Sequence, residues 1–370
     1  MNIAIVGSGL TGTLAAISLA KVGCRVDLYE RLSDEELVNR DRTYAITHSS
    51  RKILEKIGIW CYLESDLVPF DNLNVIDNNI NKVVQFDLKN LNKKDQKYFS
   101  VGWIAEHSKL MPVILEFISL IGNINKIPTS VIPNTNNYDL VVAADGINSI
   151  TKKKLKTPSF SFDYDQICIT TKVLIRGLKS NIALEILNTE GPLAVLPLGG
   201  DLFQVVCSQS KKSGDIKLNL PKSLFLDYLS TILPYGIEPD TIIDEPKSYP
   251  IKFLLNYSFH SGKYIYVGET FHAFHPVGGQ GLNLCWRDVD CLTNIIKSPI
   301  LNKNKILIPI IYSFSRFIDV FFISILTDLL VRYSRNNINI FVLFKKVIFL
   351  ILKKSSITRN FILNIMTNGL

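Results

Sequence analysis

Three stretches of this chain combine glycines with carboxylate or amide side chains at spacings suited to a phosphorylated, ring-bearing cofactor. The first is Gly7-Ser8-Gly9-Leu10-Thr11-Gly12, followed downstream by Glu30. The second is Asp145-Gly146-Ile147-Asn148-Ser149-Ile150-Thr151-Lys152. The third and most informative is Gly268-Glu269-Thr270-Phe271-His272-Ala273-Phe274-His275-Pro276-Val277-Gly278-Gly279-Gln280-Gly281-Leu282-Asn283. In the first, Gly7 allows a tight turn, Gly9 lets a pyrophosphate approach the backbone, and Gly12 lets a helix pack closely on a strand. Glu30 is then placed to accept hydrogen bonds from a ribose. In the third, a Gly-rich turn presents backbone N–H groups at the positive end of a helix, which suits phosphate or an anionic ring edge.

The elements needed to position these groups surround them. Asn2 to Val6 reads as a buried parallel strand, a small apolar helix runs to Val22, and Arg25 to Tyr29 is a second strand closed by Glu30. The order is therefore strand, GxGxxG, helix, strand, acid, a dinucleotide-binding arrangement. Tyr138 to Ala144 is a strand feeding the second motif; Tyr264 to Val267 leads into the third, and a helical run from Leu282 to Ile296 leaves it. Between the second and third motifs, Ser159 to Leu174, Ala183 to Leu187, Leu193 to Leu198, Phe203 to Ser208 and Tyr249 to Leu254 read as strands with short polar turns. The Asn-rich stretches Asp71 to Lys82 and Asn123 to Asn137 read as loops, and no internal repeat is visible.

With these motifs in order, the sequence resembles the FAD-dependent aromatic hydroxylases, the single-component flavoprotein monooxygenases that include para-hydroxybenzoate hydroxylase. That family carries GxGxxG, a DG motif ending in a basic residue, and a GD motif followed by His, Pro and GQGxN. Forms of all three occur here within about the first 300 residues. Arg42-Thr43-Tyr44-Ala45-Ile46, Ser49-Ser50, Ile57-Gly58-Ile59-Trp60, the run Gly191 to Leu198 and Arg287-Asp288-Val289 make the hydroxylases of ubiquinone biosynthesis the most similar group.

The resemblance implies an α/β fold: a Rossmann-like FAD-binding domain (1–158 and 255–300), an inserted mixed β-sheet substrate domain (159–254) and a C-terminal helical region (301–370). It implies that Gly7, Gly9, Gly12, Glu30, Arg42, Asp145, Gly146, Gly268, Glu269, Gly281 and Asn283 hold FAD. Pro276, Gly279, Gln280 and Gly281 would face the flavin ring, and His272 would orient that loop without acting as a base. NAD(P)H would reduce FAD transiently, since no second GxGxxG is present. O₂ would then add at the flavin C4a position, and one oxygen would pass to a phenolic ring on a prenylated quinone precursor. Two departures bear on the cofactor. Glu269 stands where the family has Asp, one methylene shorter, and Lys152 stands where it has Arg, which keeps the charge and loses the planar fork. Two other functions stay open: a flavoenzyme that reduces a prenyl chain, and a flavin-poor scaffold in a quinone-biosynthesis complex.

Composition bears on the setting. The chain of 370 residues is 47% hydrophobic, ample for one large or two moderate domains. Its six cysteines form no CxxC pair and the chain starts directly at a strand, so a cytoplasmic location is expected. From Leu301 to Leu370 ten Lys and Arg stand against Asp319 and Asp328, so this segment carries the whole net charge of +8. Within Ile338 to Lys354 a helical projection groups Asn339, Lys346 and Lys353, with Lys345 and Lys354 about 100° to either side and apolar residues elsewhere. The run falls short of the about 20 apolar residues that a span requires. Two arrangements fit: a helix lying on an anionic membrane surface, peripheral to the inner membrane, or one packed on the preceding helix, Ile306 to Val331. Nucleic acid is disfavoured, because the lysines lack a stacking platform. Glu269, His272 and His275 recur every third residue, but Pro276 and the following glycines break the helix a metal site would need. No GxSxG or Cys-His pattern supports covalent catalysis, and His48, His107 and His260 read as surface or satisfied core residues.

Overall fold

The computed structural model describes residues 1–335 and 339–370; Ile338 and the side chain of Asn339, both part of the expected basic helix, lie outside that description. A six-stranded sheet runs in the order His260–Ser261, Tyr264–Tyr266, Leu140–Ala143, Asn2–Val6, Arg25–Glu30, Ile124–Pro128. All its pairings but that of the first two strands are parallel. Parallel neighbours need crossovers, and the helix Leu10–Lys21 supplies the first of them, its Leu14, Ala16, Ile17 and Leu19 fully buried. Asn2–Val6 is flanked on one side by Arg25–Glu30 and on the other by Leu140–Ala143, so crossovers leave it in opposite directions. The crevice beyond the carboxyl ends at such a point is where open α/β sheets bind ligands. The three glycine motifs follow directly from the carboxyl ends of Asn2–Val6, Leu140–Ala143 and Tyr264–Tyr266, so one crevice receives all three.

A nine-stranded sheet contains the strands expected between the second and third motifs, slightly extended: Ser159–Arg176, Ile182–Leu187, Leu193–Gly199, Leu202–Ser210 and Lys247–Asn256. It also recruits a hairpin that the sequence did not suggest. Residues 71–82, expected as a loop, contain the strand Asn72–Asp77, which pairs in parallel with Ile182–Leu187 and antiparallel with Lys82–Asp87. Part of the first 158 residues thus belongs to the larger sheet. The second Asn-rich stretch is likewise corrected: Ile124–Pro128 is the edge strand of the six-stranded sheet. One face of the larger sheet is covered by the helices Lys211–Leu218 and Lys222–Ile232, with Leu184, Ile186, Phe203 and Phe225 in the seam. The opposite face, carrying Ala183 and Leu187, packs with Val277 of the third motif and with Val331, Phe349 and Leu363 of the C-terminal helices.

Those helices are Ile308–Arg335, Asn339–Lys354 and a third, Ser356–Asn368. The long helix buries Tyr312, Arg316, Asp319, Val320, Ile323, Thr327 and Val331, one face at helical spacing. Its length and composition would suffice to cross a membrane. The Tyr312 hydroxyl nevertheless donates to the Tyr266 carbonyl at 3.0 Å, and Arg316 and Asp319 are paired within the enzyme body. The opposite stripe is apolar and exposed: Phe314 (78%), Phe317, Ile318 (66%), Phe321, Phe322, Ile325 and Leu329. In the next helix Lys345, about 100° from the sector of Lys346 and Lys353, does not face solvent. It is buried, 3.9 Å from Asp77 of the unexpected hairpin, while Lys346, Lys353 and Lys354 remain exposed. Leu343, Phe344, Val347, Ile348, Leu350 and Ile351 extend the exposed apolar surface, although Phe349 is packed into the core.

Candidate active site

The crevice forms a cavity of about 250 Å³ lined by Gly7, Gly9, Glu30, Arg42, Asp145, Gly146 and Glu269, with Tyr44, His107, Leu282 and Cys285 completing its walls. Gly7 adopts φ +96°, and a Cβ there would stand 2.6 Å from the Ala144 carbonyl oxygen, so the turn admits no side chain. A Cβ on Gly12 would collide with the Gly7 carbonyl oxygen, which is the close helix-to-strand contact expected of it. Gly9 differs from both. It has ordinary extended torsions (φ −65°, ψ 178°), and nothing lies within 4 Å of a Cβ built on it. Neither backbone strain nor packing requires glycine at this position. It is the N-cap of the helix Leu10–Lys21, with no side chain capping the first turn. An open helix N-terminus at the carboxyl edge of a parallel sheet fits a pyrophosphate.

Around this opening the acids are held in different ways. One Glu30 carboxylate oxygen accepts from the Ser8 N–H at 2.7 Å, and the other accepts from the N–H groups of Arg31 and Leu32 at 2.8 and 3.0 Å. Asp145, ahead of the helix Ile150–Lys154, accepts from the hydroxyl of its N-cap Ser149 at 2.6 Å and from the Thr151 N–H at 2.9 Å. Glu269 is the loosest: its carboxylate stands 3.8 Å from Arg42, with both side chains nearly half exposed on the groove. Such a pair can part to admit a polar ligand. Lys152 turns away towards Asn256, its ammonium 3.5 Å from the amide oxygen.

Several expected residues do not line the groove. A Cβ on Gly268 (φ +62°) would stand 3.0 Å from Thr11, and the Gly268 N–H donates to Asp288 at 2.9 Å, so it seats the turn against the first helix. The side chain of Asn283, expected as a cofactor ligand, is committed to the protein. Its oxygen accepts from the Thr47 N–H, the Thr47 hydroxyl and the Ser50 hydroxyl, and its amide donates to the Ala45 carbonyl at 2.7 Å and the Gly279 carbonyl at 2.9 Å. Asn283 therefore pins the loop Pro276–Gly281 to the turn after Thr43–Ile46. That loop lies on the larger sheet's side: Gly278 (φ +73°) donates its N–H to Glu185 at 3.3 Å, and Gly279 (φ +60°) sits against Ala45. Gln280 is buried, with its amide donating to the Gly278 carbonyl at 3.0 Å, whereas Pro276 and Gly281 are exposed. The spacing Glu269, His272, His275 does not converge on one point. His272 bonds Asp288 at 2.7 Å, His275 Nδ1 accepts from the Val277 N–H at 3.2 Å, and Glu269 faces Arg42. His48 and His107 are buried and bonded to the carbonyls of Ser100 and Leu37.

A buried ionic chain behind the loop was not foreseen. Asp288 accepts from His272, from the Gly268 N–H and from Arg316 at 2.8 Å; Arg316 and Arg287 share Asp319; Arg287 reaches Gln280 at 3.3 Å. Burial pushes the Asp288 carboxyl up, but His272 and Arg316 outweigh it and hold the group below the usual carboxylate range. The signal in the sequence was Arg316 and Asp319 on the buried face of an otherwise apolar helix, which a count of net charge overlooks.

A parallel sheet with a glycine turn at its switch point is the arrangement of a dinucleotide-binding fold. The profile of the FAD binding domain matches residues 134–303, and that of the NAD(P)-binding Rossmann-like domain matches residues 5–34. An uncharacterized protein of Synechocystis is 26% identical, over 80% of this chain and 75% of its own. The ubiquinone biosynthesis monooxygenase COQ6 of Drosophila melanogaster is 24% identical, over 78% of this chain and 72% of its own. Among solved structures, p-nitrophenol 4-monooxygenase of Pseudomonas putida superposes with a TM-score of 0.78 at 17% identity, covering 99% of this chain and 98% of that one. The chain is similar to the FAD-dependent aromatic hydroxylases, and it is an FAD-dependent monooxygenase.

Proposed function

We propose that this enzyme hydroxylates the phenolic ring of a prenylated quinone precursor. The groove of Gly7, Gly9, Glu30, Arg42, Asp145, Gly146 and Glu269 would hold FAD, and the loop Pro276–Gly281 would meet its ring system. The observation that carries the cofactor's position is Gly9, an unconstrained glycine with open space before an uncapped helix N-terminus. Bound FAD, reduced by transient NAD(P)H, supplies the activation of O₂ and the transfer of one oxygen to an electron-rich ring. The chain's own residues do the rest. Arg42 and the N–H groups of the first helix neutralise the pyrophosphate, and Glu269 accepts from a cofactor hydroxyl by parting from Arg42. Asn283 and the Gln280–Arg287 contact hold the loop in place. Phe70, Leu73, Tyr164, Leu196 and Leu198, gathered between the larger sheet and the loop, keep water from the ring.

A prenylated substrate is supported by the ubiquinone-pathway relative and by the apolar surface of the C-terminal helices. We propose that this surface, rimmed by Lys346, Lys353 and Lys354, rests on the anionic face of the inner membrane from the cytoplasm, alone or within a quinone-biosynthesis complex. The test is oxygen consumption by FAD-loaded protein with NADH or NADPH and a short prenylated phenol. Uptake matched to the formation of hydroxylated phenol is expected. Saturation of the prenyl chain without oxygen uptake would instead identify a prenyl reductase.

A further inference from the structure

We propose that Glu185 is the proton acceptor for the ring hydroxyl of the substrate, an inference that rests on the phenolic-substrate reading above. Glu185 lies in the strand Ile182–Leu187. Its neighbours Leu184 and Ile186 point into the seam beneath the covering helices, so period-two alternation puts Glu185 on the other face, with Ala183 and Leu187. That face meets the loop assigned to the flavin ring, and Glu185 accepts from the Gly278 N–H at 3.3 Å. The side chain keeps some accessible surface in an otherwise apolar layer of Val277, Leu196, Leu198 and Tyr164. Among the described residues no cation pairs with it. Among the described residues this carboxylate in an apolar layer has one backbone amide as its partner and no counter-charge to account for it.

Desolvation raises its carboxyl to about 7, and the Gly278 hydrogen bond opposes this only in part. The ionisable groups on the elements around it do not compete. Burial pushes the Cys168 thiol up to about 12, so it stays protonated, and pushes His275 down to about 3, so it stays neutral with Arg335 nearby. Asp77 is occupied by Lys345, and the Tyr164 hydroxyl donates to Asp328 at 3.0 Å. In the proposed step the phenolic O–H bond breaks and the proton passes to a Glu185 carboxylate oxygen. The electron pair stays on the phenolic oxygen and enriches the ring carbon that is hydroxylated. Nothing is oxidised or reduced in this step, and the proton returns when the ring regains aromaticity.

The base must be ionised, so turnover of an un-ionised phenol rises with pH through the Glu185 ionisation. The experiment compares wild type with Glu185→Gln on phenol and on a difluorinated phenol acidic enough to be ionised in solution. With phenol the variant should lose about a hundredfold or more in kcat/KM together with the limb of the pH profile near neutrality. With the ionised phenol it should retain most of its activity. A readout without turnover accompanies this: the ionised phenol should bind wild type more weakly as pH rises through the Glu185 ionisation, because the two anions repel, and the variant should lack that dependence. Equal losses on both phenols, or superimposable pH profiles of turnover and of binding, overturn the role of Glu185 while leaving the hydroxylase reading standing. Failure of wild type to hydroxylate either phenol removes both.

Discussion

Replacing Gly9 by Val separates cofactor binding from folding in a way that no other glycine of the motif allows. The Cβ of residue 9 would meet nothing within 4 Å, and the backbone there is already extended, so valine fits the folded chain. What folding loses is the difference between Gly and Val as an N-cap, about 1 kcal/mol. A domain stability of about 5–15 kcal/mol absorbs that. The branched side chain would instead occupy the space through which a pyrophosphate approaches the N–H groups of Leu10 and Thr11. Losing two charge-assisted hydrogen bonds at about 1.5–3 kcal/mol each amounts to about 3–6 kcal/mol, or two to four orders of magnitude in Kd. The assay pairs a thermal melt of flavin-free protein with titration of FAD by absorption and fluorescence. A near-native melt with FAD affinity lost is the expected result. Gly12→Val is the contrast, since its Cβ would collide with the Gly7 carbonyl and damage the fold itself. A Gly9→Val protein that binds FAD as tightly as wild type would refute the placement of the pyrophosphate.

Other consequences can be measured in the same preparations. Glu269→Asp should retain or tighten FAD, whereas Glu269→Ala should weaken it by about 1–3 kcal/mol; equal affinity of wild type and the Ala variant removes Glu269 from the site. Asp288→Asn leaves Arg316 buried without one of its two carboxylates and should cost about 3–5 kcal/mol in urea unfolding. Because the folded Asp288 carboxyl is depressed, its stabilising contribution is present above the ordinary carboxylate range and is lost as pH falls through the folded value. The variant should therefore show a shallower acid limb of stability than wild type. Changing Lys346, Lys353 and Lys354 to Gln should weaken co-sedimentation with anionic vesicles at low salt and less so at high salt; unchanged binding at every salt concentration would remove the membrane role. Lys345→Gln should act differently, lowering stability by stranding the buried Asp77.

The cofactor side of the molecule was legible because its signals are local. The strand, turn and helix around Gly7 to Gly12 lie within one run of sequence, and the same holds for the strands that deliver Asp145 and Gly268. The hairpin of residues 72–87 was hidden because five asparagines interrupt its apolar residues and its parallel partner, Ile182–Leu187, lies about a hundred residues away. Tertiary pairing there overrides local composition. Separation also concealed the roles of side chains. Glu185 meets Gly278 across 93 positions, and Arg316 meets Asp288 across 28. The helical phase of Lys345 cannot register that a hairpin with a buried Asp77 lies on that side. Asn283 was recognised as part of a motif, yet only the folded contacts show that its amide is consumed by Thr47, Ser50, Ala45 and Gly279.

The central claim is that the enzyme transfers an oxygen atom from O₂ to a phenol held between the larger sheet and the loop Pro276–Gly281. Mass spectrometry of the product formed under heavy-isotope dioxygen, with FAD, NAD(P)H and a short prenylated phenol, tests it most directly. One labelled oxygen per product, in a new ring hydroxyl, is the predicted result. A product carrying unlabelled oxygen from water, or no added oxygen at all, would contradict it.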